Sequence, residues 1–83
     1  MRYYVDQTSW FSYGSGDIPK ISAVVRAAGG ENVRTSYNYG WSNQPKVVTF
    51  DATPAELPRI KRALDRKIPQ YRKWGAIIRK KSW

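Results

Sequence analysis

The chain contains neither cysteine nor histidine, and that absence decides how it can fold. Disulfides, thiolate metal sites and imidazole ligands are all closed to it. Any stable structure must come from packed apolar faces alone. At 83 residues there is room for one domain, 1–83, and for a single core with a margin of a few kcal/mol. The apolar share of 41% and the aromatic share of 14% are too high for a disordered tail. The lack of histidine also removes the commonest general base and with it Ser-His-Asp chemistry.

Periodicity and punctuation place the elements. Arg2 to Trp10 is rich in β-branched and aromatic residues without Gly or Pro, and it reads as a strand. Gly14 to Asp17 is a loop with Asp17 as an N-cap and Pro19 in the first helical turn. Ile18, Ile21, Val24, Val25 and Ala28 then share a helical face, and Gly29-Gly30 ends the helix. Asn32 to Tyr39 alternates as a half-buried strand, followed by a polar turn over 40–45 and a strand from Lys46 to Asp51. Thr53-Pro54-Ala55-Glu56 is a capping box with proline at the first helical position. A second helix runs from there to about Lys67, irregular at its start because of Pro58 and stopped or kinked by Pro69. Ala76 to Ser82 forms a last short strand.

Strand, helix, strand, strand, helix, strand in this length implies an α+β fold. The arrangement expected is a ferredoxin-like βαββαβ sandwich: a four-stranded antiparallel sheet, strands one and three central, two helices on one face. The other sheet face is expected to stand open.

Charge is distributed unevenly. The first 56 residues carry five basic and five acidic groups, whereas residues 57–83 carry ten basic groups against Asp65 alone. The whole net charge of +9 therefore sits in the last third, the pattern of a surface that meets a polyanion. On a helical wheel Leu57, Ile60, Leu64 and Ile68 form the apolar stripe, with Arg59, Arg62 and Arg66 nearly opposite and Lys61 and Lys67 on its flanks. Arg72 and Lys73 follow in the connection, and Arg79, Lys80 and Lys81 in the last strand. A solvated structural face gains from interspersed acids, which this one lacks. Five of the ten are arginines, suited to bidentate phosphate contact. The contacts expected are Arg59, Arg62, Arg66, Arg72, Lys73, Arg79, Lys80 and Lys81, binding backbone phosphates of DNA or RNA with little sequence preference. Trp41 and Trp74 are candidates for base stacking.

The element order resembles that of the RNA-recognition motif, and Tyr3-Tyr4-Val5 is similar to that family's first-strand motif. Lys46 to Phe50 lacks the glycine and paired aromatics of its other motif. The resemblance covers topology and a few residues, and membership is not inferred from it. Aromatic residues on both sides of the strands leave some rings on the open sheet face, where they can stack bases or be buried in a homodimer.

Competing functions follow from the same residues. A small interaction protein of the phage-modulator type, docking on an acidic host protein, needs the same charge. Asp6 and Asp51, if brought together on central strands, would suit a metal-dependent nuclease. Otherwise no catalytic group, metal site or cofactor is expected. Gly14-Ser15-Gly16 lacks the third glycine of a dinucleotide fingerprint and the Lys-Ser/Thr of a P-loop. With no membrane span and no signal peptide at the N-terminus, the expected location is cytoplasmic or intracellular.

Overall fold

A computed structural model describes residues 1–6, 17–37 and 46–81. Within them the order is β1 (Arg2–Val5), α1 (Asp17–Ala27), β2 (Glu31–Tyr37), β3 (Lys46–Asp51), a 3-10 turn (Pro54–Glu56), α2 (Leu57–Lys67), α3 (Pro69–Trp74) and β4 (Ile78–Lys80). The fold is α+β, with one four-stranded antiparallel sheet in the order β2-β3-β1-β4. The two central strands are thus β1 and β3.

Alternation along the strands sends Tyr3, Val5, Val48 and Phe50 to one face. There they join Ile21, Val25 and Ala28 of the first helix region with Ile60, Leu64 and Ile68 of the second, a continuous buried core. The apolar stripes expected on both helices are the ones buried. Leu57 packs at the margin of that core.

Local chemistry fixes the helix ends. After α1, Gly30 N–H donates to Val25 O at 2.9 Å and Gly29 N–H to Arg26 O at 3.1 Å, the paired bonds of a Schellman motif. Gly29 supplies the positive φ of 110° that the motif requires. Gly30 is needed for space: a Cβ there would lie 2.4 Å from Val25 Cγ1. Before α2, the Glu56 carboxylate accepts from both the N–H and the hydroxyl of Thr53, each at 2.9 Å. These bonds, the backbone one first, hold the Glu56 carboxyl below the usual carboxylate range. The irregular start expected at Pro58 takes the form of the 3-10 turn, with Pro58 in the first turn of α2 proper.

Three features differ from the sequence expectation. Residues 69–74 are a third helix rather than a connection. Pro69 ends α2 by forcing Ile68 into extended backbone, then serves as the first-turn proline of α3. Tyr71 of α3 is buried in the core and its hydroxyl donates to Asp6 O at 3.3 Å. The second difference is at β2, where the register shifts between Glu31 and Arg34 and Asn32 adopts φ 49°. Asn32 is one of the few residues that tolerate this conformation, and its side chain donates to Asp51 at 2.8 Å.

The third difference concerns the far sheet face. Tyr4, Val47 and Thr49 point away from the helices, yet they are only 1%, 0% and 1% exposed. The centre of that face is therefore buried at these three positions rather than open to solvent. The strand ends are shorter than expected, since Asp6 after β1 and Ala76, Ile77 and Lys81 around β4 are not strand; residues 7–10, 38–45 and Ser82 lie outside the described residues.

Candidate nucleic-acid interface

Where α1 and α2 pack together, small side chains keep their facing surfaces low. Ala27 and Ala28 with Val24 on one side, and Ala63 on the other, floor a groove of about 420 Å³. Its α2 wall is Arg59, Arg62, Arg66 and Lys67, and no acidic residue lines it. The three arginines recur at i, i+3 and i+7, so they share a helix face and span about 10.5 Å along the axis. All three are exposed, and among the described residues none ion-pairs. Arg66 and Lys67 also sit in the last turn of α2, where positive charge complements the helix dipole.

The sequence pattern has these arginines project outward from the helix layer, and all three are exposed. They also wall a cleft, because α1 lies alongside and closes its other side. Lys67 belongs to the set, although its place beside the apolar stripe had given it no role. The signal that could have found the cleft is the run of small residues facing the arginines.

The remaining candidates are dispersed. Arg72 donates to Arg66 O at 2.8 Å and so satisfies a carbonyl at the end of α2. Lys73 is its neighbour on α3 and is also exposed. Arg79 lies opposite Tyr4 in the β1–β4 register, on the sheet face away from the groove. Its Nε is 2.6 Å from the Asp6 carboxylate, so its charge is already matched. Lys80 lies opposite Tyr3 at the sheet edge. Lys81 is half-buried, and its N–H donates to Arg2 O at 2.9 Å. Trp41 lies outside the described residues. Trp74 closes α3, with its side chain outside the described part.

Asp65, the lone acid of the basic segment, has structural work. One carboxylate oxygen accepts the Ala76 N–H at 2.6 Å and the other pairs with Lys61 at 2.7 Å. It ties the end of α2 to the chain entering β4.

The two carboxylates that could have formed a metal pair are apart. Asp51 stands opposite Arg2 in the β1–β3 register, while Asp6 follows the other end of β1. Four residues of strand separate the two levels by about 13 Å. Asp51 is bonded to Asn32 and to Arg2, which together hold its carboxyl below the usual range. Among the described residues no three Asp or Glu side chains gather as a metal site.

Comparison of the chain with models of known families, with curated proteins and with solved structures finds no match. Among the described residues no helix is long and apolar enough to cross a membrane.

Proposed function

We propose that this is a small nucleic-acid-binding domain of ferredoxin-like topology that grips backbone phosphates in the α1–α2 groove. The strand order β2-β3-β1-β4 is the one this fold plan prescribes. The observation that carries the function is the groove wall: four cations, no acid, on a floor of small residues. Arg59, Arg62 and Arg66 repel one another at helical spacing, at a cost of about 0.2–0.5 kcal/mol per pair that the helix dipole at Arg66 and the Glu56 carboxylate near Arg59 offset only in part. A phosphate chain removes that repulsion and is matched by guanidinium forks. Lys80 and the α3 cations lie outside the groove and add long-range attraction. Contacts of this kind position a protein without reading bases, so sequence preference is weak. No reaction is proposed.

The deciding measurement is fluorescence anisotropy of labelled DNA and RNA oligonucleotides with the wild type and Arg62→Glu/Arg66→Glu. Salt-sensitive binding that the double variant abolishes is the expected result. Binding indifferent to salt, or to the double variant, would end the proposal.

A second reading, docking on an acidic protein, is favoured by one separate observation. Pro54, Leu57, Pro58, Lys61, Ala76, Ile77 and Ile78 line an apolar cavity of about 530 Å³ beside the β4 edge, where Ile77 is 38% exposed. A stoichiometric protein partner retained after nuclease treatment would favour that reading over nucleic acid.

A further inference from the structure

The phosphate groove does not stop at Lys67. A second cavity of about 500 Å³ continues it, lined by Asp17, Lys20, Ile21, Val24, Lys67, Ile68, Pro69 and Gln70. Val24 and Lys67 line both cavities, so the two adjoin along the helical layer. The two ends differ in chemistry. The arginine end has an Ala/Val floor and only positive walls. The other end is floored by buried Ile21 and Ile68 with half-buried Val24, and Pro69 adds a flat apolar ring. Its polar groups, Lys20, Asp17 and Gln70, stand at the rim. Asp17 makes this end poor for phosphate, since an anion there meets a carboxylate at close range.

We infer that the paired cavities are built for single-stranded nucleic acid, with successive phosphates on Arg59, Arg62, Arg66 and Lys67 and an unpaired base lodged against Val24 and Pro69 at the margin of Ile68. This inference rests on the phosphate reading and specifies its ligand. A single strand alone offers phosphate and a free base face side by side; in a duplex the bases are paired inside and cannot leave without unstacking. The size agrees, since each cavity falls within the roughly 300–1,000 Å³ of ordinary ligand sites. Gln70 meets the edge of such a base, since an amide both donates and accepts. Lys67, shared by the two halves, bridges the phosphate next to that base.

The test varies the ligand, so that folding of a variant is not at issue. Anisotropy titrations compare a short single strand, the same strand with abasic sugars at alternate positions, and the matching duplex. Abasic substitution keeps every phosphate and is expected to weaken binding at least about 5-fold, since the base face loses its apolar seat. The duplex is expected to bind more weakly than the intact single strand. Methyl resonances of Ile21, Val24 and Ile68 should shift with the intact strand and stay in place with the abasic one. Equal affinity for intact strand, abasic strand and duplex, all lost in Arg62→Glu/Arg66→Glu, would overturn this inference and leave the phosphate reading standing. Absence of binding to any of the three at low salt, with binding to polyglutamate instead, would overturn both.

Discussion

The four-cation wall makes a quantitative prediction about salt. If Arg59, Arg62, Arg66 and Lys67 each meet one phosphate, a single strand releases about 0.7 counterion per contact, giving a slope of log K against log salt near about −2.8. Raising salt from about 50 to about 200 mM then lowers affinity about 50-fold. Arg62→Gln deletes the central contact and brings the slope to about −2.1, so the same change in salt costs about 20-fold. At a fixed salt near physiological strength, the variant loses about 5- to 30-fold, because an exposed charge-assisted bond is worth about 1–2 kcal/mol after screening. Arg79→Gln is the informative control. Its guanidinium is matched by Asp6, and it lies on the sheet face away from the groove. Its slope should equal that of the wild type. Anisotropy titrations at four or more salt concentrations measure all three slopes. A wild-type slope shallower than about −1, or an Arg79→Gln slope reduced as much as that of Arg62→Gln, would refute the assignment of phosphates to the groove.

Three further predictions concern stability. Asp65→Ala strands the N–H of Ala76, a residue only 1% exposed, and should cost about 2 kcal/mol, lowering Tm by about 8–16 °C in a thermal melt followed by circular dichroism; a Tm within about 2 °C of wild type contradicts the tie to β4. Gly30→Ala drives a methyl into Val25, which has no exposed surface along which to move, and should cost about 1–3 kcal/mol by urea unfolding; a neutral result would mean that the turn after α1 yields freely. Asp51 and Glu56 both have carboxyls held below the usual range. Their contribution is therefore complete above the unfolded-state pKa, near about 4, and is lost as pH falls through the lower folded-state value. Asp51→Asn/Glu56→Gln should flatten the acid side of a stability–pH curve, and an unchanged acid limb would show that neither bond matters to folding.

What the sequence disclosed follows from how local each signal is. Thr53 and Glu56 are three residues apart, and the stripe Ile60, Leu64, Ile68 lies within one helix, so capping and period were visible without tertiary knowledge. The Val47-to-Phe50 run likewise carried its own strand signature. Pro69 was ambiguous because proline both stops a helix and starts one, and only the burial of Tyr71 shows that both happen here. The site was half legible. The wheel grouped Arg59, Arg62 and Arg66, but nothing in it showed that α1 would wall them in with alanines. Arg79 was counted as a contact because its partner Asp6 lies 73 residues away. Asp65 was counted only as a missing positive charge, since its bond to Ala76 is a product of the fold.

The order of strands also bears on how this chain reaches its structure. Both neighbours of β1 come from distant parts of the chain, as the Met1–Ala52 and Asp6–Arg79 bonds show with separations of 51 and 73 residues. The α2 helix and the β2–β3 pair can assemble from near contacts, whereas β1 must wait for large loops to close before any pairing repays their entropy. Such topology places folding between the fast helical bundles and the slow all-β domains. The strand at the middle of the finished sheet is therefore among the last to be secured. Until it docks, the β3 edge that it will cover stays exposed, and that interval is when the chain is most open to pairing with another copy.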